Sequence, residues 1–162
     1  MKTYLIVLFF ITNAASAANA ISNKYTIDSD QQLILPNGNI RAIGHVHIVS
    51  GDMVIDAEEA IYHREIPDKT YIVATGNPVR YKGVTENNKP FSGNSKNLKY
   101  YPDTAMVIMT DEAFIQQKGI SLSADVMTYN TITRKMTASA VSKKVRSIIS
   151  PEITSKKKNS SS

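Results

Sequence analysis

Residues 42–62 read AIGHVHIVSGDMVIDAEEAIY, and two very different proteins can be read from them. Taken for chemistry, His45, His47, Asp52, Asp56, Glu58 and Glu59 are the raw material of a metal site. Taken for periodicity, the same stretch is a hairpin. Val46 and Ile48 fall on one side of an extended run, His45 and His47 fall on the other, and Ser50-Gly51-Asp52 turns the chain back. Catalytic zinc usually keeps three protein ligands, and the spacing of the two histidines fixes no third, whether His63 or an acid. A metal-dependent hydrolase using His45 and His47 is therefore the rival reading from another class. The hairpin reading, with both histidines on the solvent side, is the one that extends along the chain.

Outward from this stretch the pattern persists. From residue 25 to about 149 no amphipathic helix stands out. Short runs rich in Val, Ile, Thr and Tyr alternate with turn residues such as Pro36-Asn37-Gly38-Asn39, which predicts an all-β protein. Pro78 lies inside one run and predicts an edge, a bulge or a strand start, because proline cannot donate to a ladder. Residues 86–90 (ENNKP) read as a loop. A small-x-x-x-x-apolar/Tyr motif recurs at residues 29–34, 57–62, 95–100 and 124–129. A second element follows each motif start after 15 to 19 residues, at Gly44, Gly76, Asp111 and Ser139. The pattern predicts degenerate units of roughly 30 residues, each supplying paired antiparallel strand segments that stack on the next.

The first residues, MKTYLIVLFFITNAASAANA, hold one lysine, a short apolar run and two A-x-A sites. The run is far short of the roughly 20 residues that span a bilayer. A cleaved secretory signal over residues 1–20 is predicted, with a β-domain over 21–150 and a polar, basic, disordered tail over 151–162. The periplasm of a Gram-negative cell is the simplest expected location, although the signal by itself would also permit secretion. The sequence has no cysteine, so neither disulfides nor Cys-ligated metal support the fold. Its net charge of +5 points only weakly to an anionic partner.

Other chemistry finds little footing. No G-x-S-x-G elbow, phosphate-binding loop, H-E-x-x-H or dinucleotide fingerprint is present. The pairs Asp28/Asp30 and Asp56/Glu58 share strand faces, but acid–base work needs one of a pair desolvated. Lys143, Lys144 and Arg146, and residues 156–158, lack the interleaved aromatics of a single-strand nucleic-acid binder. They suit solubility or an anionic lipid surface better. No catalysis, cofactor, metal or nucleic-acid partner is expected.

The apolar face is the remaining candidate. Taking one parity per strand, it collects Tyr25, Ile27, Val46, Ile48, Ile55 and Ala57 from the first part of the chain. Val79, Tyr81, Phe91, Leu98 and Tyr100 follow, and then Phe114, Leu122, Met127 and Tyr129. A sandwich would fill itself with such residues. With no capping helix in the pattern, a stack of paired strands instead curls into an open-sided trough suited to acyl chains.

The ordered set IDSDQQ (27–32), GHVHI (44–48), GDMVIDAEEAIY (51–62), TGNPVRY (75–81), NNKPFSGNSKNLKYY (87–101), MVIMTDEAFIQQKG (106–119) and LSADVMTYNTITRKM (122–136) resembles the LptA (OstA-type) family of periplasmic lipopolysaccharide-transport proteins. The similarity covers nearly all of residues 25–145. It departs at Asp111-Glu112, where family members often carry Gly-Asn, and in the loop over 64–69. The resemblance implies an open, twisted antiparallel β-jellyroll whose groove carries lipid A acyl chains of lipopolysaccharide between the membranes. It also implies joining by edge-strand addition to inner-membrane and outer-membrane components, and head-to-tail self-association. Tyr25 and Ile27 would then lie on the N-terminal edge, facing the groove. The nearest alternative is the inner-membrane-anchored partner of the same fold.

Overall fold

The computed structural model describes residues 24–64, 66 and 69–150. The expected leader (1–20) and tail (151–162) lie outside the described residues. Ten strands follow one another: β1 (Tyr25–Asp28), β2 (Gln31–Ile34), β3 (Ile40–Ser50), β4 (Met53–His63), β5 (Tyr71–Val84), β6 (Pro90–Tyr101), β7 (Met106–Gln117), β8 (Ile120–Asn130), β9 (Met136–Ser139) and β10 (Arg146–Ile149). A 3-10 turn at Pro102–Thr104 is the only helical element among the described residues. Every pairing is antiparallel. The order β1-β3-β4-β5-β6-β7-β8-β10, with β2 also on β3 and β9 also on β8, leaves the sheet open at both ends. The all-β, open jellyroll expectation holds.

Each of the long strands is interrupted near its middle, and the interruptions line up across the sheet. Register shifts fall between Ile43 and Val46, Asp56 and Glu59, Thr75 and Val79, Asn94 and Asn97, and Thr110 and Ala113. Bulges bend and twist a strand, so this line is a hinge at which the whole sheet folds over. The sequence supplies the bend residue by residue. Gly44 (φ +76) and His45 (φ +43) make it in β3, and a Cβ on Gly44 would stand 2.4 Å from Asp30 Oδ2. In β5, Pro78 sits where the ladder is already broken and no donor is missed. In β7, Asp111 (φ +61) and Glu112 (φ +62) take the left-handed conformation. Asn97 Nδ2 donates to Asp111 at 2.6 Å and Lys96 pairs with Glu112 at 3.0 Å. Glycine and asparagine suit positive φ directly; here side-chain contacts support two acids in that conformation.

The depth of the fold follows from one distance. Tyr129 lies in the same transverse row as Ile72, through Val107 and Tyr100. Along β5, Ile72 and Val84 are twelve residues apart, roughly 40 Å if extended. Yet the Tyr129 hydroxyl donates to the Val84 carbonyl at 2.8 Å. The sheet is therefore folded into two wings with the apolar face between them.

Candidate functional site

The inward face is organised as rows that cross the sheet from edge to edge. In one wing a row runs Ile34–Ile40–Tyr62–Ile72–Tyr100–Val107–Tyr129–Met136. Beside it lies Gln32–Ala42–Ala60–Ala74–Leu98–Met109–Met127–Ala138. In the other wing a row runs Ile27–Ile48–Ile55–Tyr81–Gly93–Ile115–Leu122–Ser147. Small residues gather by the bend, with Ala113 and Ala124 paired there and Ser95 buried. Large ones fill the wings.

Most expected groove residues face inward. Val46, Ile48, Ile55, Val79, Tyr81, Phe91, Leu98, Tyr100, Met127 and Tyr129 are all buried, while Tyr25, Ile27, Ala57 and Leu122 are half-buried and pack against them. Phe114 is a correction. It stands in the outer row Asp28–His47–Asp56–Arg80–Asn94–Phe114–Ser123–Arg146, half-exposed between buried Ala113 and Ile115. The larger aromatic suggested the inward position, but the Asp111-Glu112 bulge carries β7 through the bend with its odd-numbered residues inward. Periodicity also missed Met53, Ile72, Val107, Met109 and Ile115, all buried. Met53 follows from the parity of Ile55, Ile72 from locating the shift in β5, and Val107, Met109 and Ile115 from reading β7 with its odd-numbered residues inward.

The interior is closed over rather than an open trough. Leu98, Tyr100, Met109 and Met127 have 0% exposure. The mouth between the wing tips is crossed by hydroxyl, aromatic and ionic contacts. Ser50 Oγ and Tyr100 OH lie 2.6 Å apart. Tyr25 packs edge-on against Tyr62 and Tyr100, with centroids 6.1 and 5.9 Å away. Arg134, in the turn after β8, donates to Asp52 and Asn88 in turns of the other wing. Tyr81 lies across Gly93, where a Cβ would meet its ring at 2.5 Å, a ring-over-glycine pairing that fills the sheet surface. Its hydroxyl donates to the carbonyls of Asn94 (2.9 Å) and Phe114 (3.2 Å). Burial pushes the phenols of Tyr25, Tyr81 and Tyr129 above their ordinary value, with the Tyr62 hydrogen bond adding to the effect at Tyr25. These three phenols are therefore neutral at neutral pH.

The histidines and acids of residues 42–62 take separate partners on the outside. His45 Nδ1 meets Asp30 at 2.8 Å, His47 Nδ1 meets Asp56 at 2.7 Å, and His63 stacks on Tyr71. Among the described residues no three of His, Cys, Asp and Glu converge, and no helix is long and apolar enough to cross a membrane.

Comparison with known proteins agrees with this geometry. The chain is 28% identical over 137 residues to the lipopolysaccharide export system protein LptA of Escherichia coli K12, covering 82% of this chain and 74% of that protein. LptA of Haemophilus influenzae is 23% identical over the same length, covering 82% and 76%. The crystal structure of LptH, the LptA-homologous periplasmic component of the lipopolysaccharide transport device of Pseudomonas aeruginosa, superimposes with a TM-score of 0.67. It does so at 14% identity, over 80% of this chain and 96% of that one, which is a likeness of fold. Residues 26–135 match the family model described as LptA/(LptD N-terminal domain) LPS transport protein, and to that family this chain belongs.

Proposed function

We propose that this chain carries lipopolysaccharide through the periplasm, its acyl chains held between the two wings. The observation behind this reading is the row from Ile34 to Met136, which is aliphatic or aromatic at every position from one edge of the sheet to the other. At the two open edges Ile34 (80% exposed) and Ile149 (72%) stand in solvent. A sealed sandwich has no use for that, whereas a conduit continued by a neighbouring domain does. The residues proposed to meet acyl chains are the inward set, with Ile115 in place of Phe114.

Each acyl CH₂ left in water costs roughly 0.8 kcal/mol, so a multi-chain lipid crosses an aqueous space only under cover. The closed wings bury against each other the same apolar surface that acyl chains would cover. Loading requires the wings to part. Arg134→Ala, which removes one tie across the mouth, should speed uptake of a fluorescent lipid A analogue roughly two- to fivefold, the range an exposed ion pair is worth. The task needs no bond making, and the energy for direction comes from other components. Joining to like-folded inner-membrane and outer-membrane components, and to further copies, uses the unpaired backbone of the two edges.

The test is photo-crosslinking in cells, with photoreactive residues at Leu98 and Tyr81 and controls at His47 and Phe114. Lipopolysaccharide adducts at the first two and none at the controls are expected. A folded, exported protein with no adduct at either inward position would overturn the reading.

A further inference from the structure

The outer row that begins at Asp28 and ends at Arg146 carries information that the apolar rows do not. It crosses the entire sheet with an acid at one edge and a base at the other. Both ends are exposed, and among the described residues neither has a charged partner within the chain. Resting on the edge-joining part of the reading above, we propose that copies of this chain join without slip, Arg146 of one opposite Asp28 of the next, and that this pair sets the register.

Three observations converge on that register. Both edges are broken at the bend, between β1 and β2 and between β9 and β10, so each edge presents one segment to each wing. The two edges run antiparallel to one another when the sheet is continued. Setting Arg146 opposite Asp28 brings Ser139 opposite Gln31, because those two also end one row. The breaks then coincide, with Asp30 on one side and Lys143 and Lys144 on the other. The same alignment covers the exposed apolar ends, placing Ile149 opposite Tyr25 and Met136 opposite Ile34. A one-residue slip would turn every side chain to the wrong face. A two-residue slip would keep the faces but set Asp28 against Ile148, or Arg146 against Thr26, and would move the remaining charge opposite Asp30 or Lys144, which lie in the breaks and outside the paired strands. Opposite charges directly across a strand pair favour the register that joins them, and like or unpaired charges disfavour the rest.

The absence of cysteine in the sequence makes the test direct. Full chain carrying Thr26→Cys is mixed with full chain carrying Ile148→Cys, which leaves Asp28 and Arg146 in place, and oxidised. The expected product is a disulfide-linked heterodimer. Little should form from Thr26→Cys with Ser150→Cys, or from Lys24→Cys with Ile148→Cys. Preferential linkage of either slipped pair overturns the register but leaves head-to-tail joining intact. Assemblies seen by sedimentation with no linkage from any pair overturn the β10-to-β1 contact itself. A chain that stays monomeric at every concentration overturns self-association, and with it this proposal, while lipid crosslinking at Leu98 still judges the carrier function separately. Arg146→Asp should weaken assembly roughly two- to fivefold, and adding Asp28→Arg to the same chain should restore it. No restoration would remove the ion pair from the account.

Discussion

The two edges of the sheet are built alike and held differently. At each, two four-residue strands share one long neighbour and part at the bend. At each, an aspartate pins the break. Asp30 sits in the N-terminal break, its N–H donating to the Gly44 carbonyl at 2.9 Å and its carboxylate meeting His45 at 2.8 Å. Asp125 reaches the C-terminal break from β8, and one oxygen accepts the N–H groups of Val141, Ser142 and Lys143 at 2.8 to 2.9 Å. Backbone donors do not titrate and an imidazole does. The three amides hold the Asp125 carboxyl down at about 2, from an ordinary 3.8. The Asp30 carboxylate, by hydrogen bond and charge, raises His45 above 6.5.

The signs follow. A lowered carboxyl stabilises its edge above the ordinary carboxylate range and loses that contribution as pH falls through about 2. A raised imidazole contributes fully below 6.5 and loses its contribution as pH climbs through its folded-state value. Across mildly acid to mildly alkaline conditions the C-terminal clip is constant and the N-terminal clip fades. The edge that holds Tyr25 against the mouth is the adjustable one.

The centre sets the scale for breaking this contrast. Leu98→Ala, at a position with no solvent contact, should cost about 2–5 kcal/mol of global stability in urea unfolding. An edge variant that costs as much would mean edge and centre unfold as one unit. Asp125→Ala should speed amide exchange at residues 141–143 about tenfold or more at pH 7 while leaving the N-terminal edge unchanged. Loss of protection at both edges would end the claim that they are held independently. Between pH 5.5 and 8, exchange at Asp30 and in β1 and β2, corrected for intrinsic rate, should rise a few-fold, with residues 141–143 flat over the same range. His45→Ala should abolish the rise; a rise that survives assigns it to another group. His47→Gln should be the smallest effect, under about 0.5 kcal/mol, because its pair with Asp56 is half-exposed and lies in a continuous strand.

Strand-by-strand legibility tracked distance from the bend. In GDMVIDAEEAIY the turn at Gly51-Asp52 and the inward Ile55 follow from local chemistry, since glycine admits φ +57 there and alternation holds over the next few residues. Beyond Ala57 the register shift changes which residue is inward, and Ala60 and Tyr62 follow a new parity. The same break makes Ile72 and Ala74 inward on one side of Gly76-Asn77-Pro78, and Val79 and Tyr81 on the other. Pro78 announced an irregularity without saying how many residues it absorbed. Phe114 and Ile115 are not separable from sequence for this reason: hydrophobicity distinguishes them poorly, and only the backbone through Asp111 and Glu112 chooses between them. The histidines were assigned to the outside correctly, but their partners Asp30 and Asp56 come from register across strands.

By itself the sequence determined the all-β character, the turns, the family resemblance and most of the apolar rows, because alternation and turn chemistry act over a few neighbouring residues. Only the tertiary structure decided that the bulges align into one bend, that the wings close on each other with Arg134 and Tyr25 across the mouth, and that Asp28 and Arg146 end the same row. Those facts depend on how strands up to more than a hundred residues apart in sequence are set against one another. That register is fixed by packing over the whole sheet, and no local run of residues carries it.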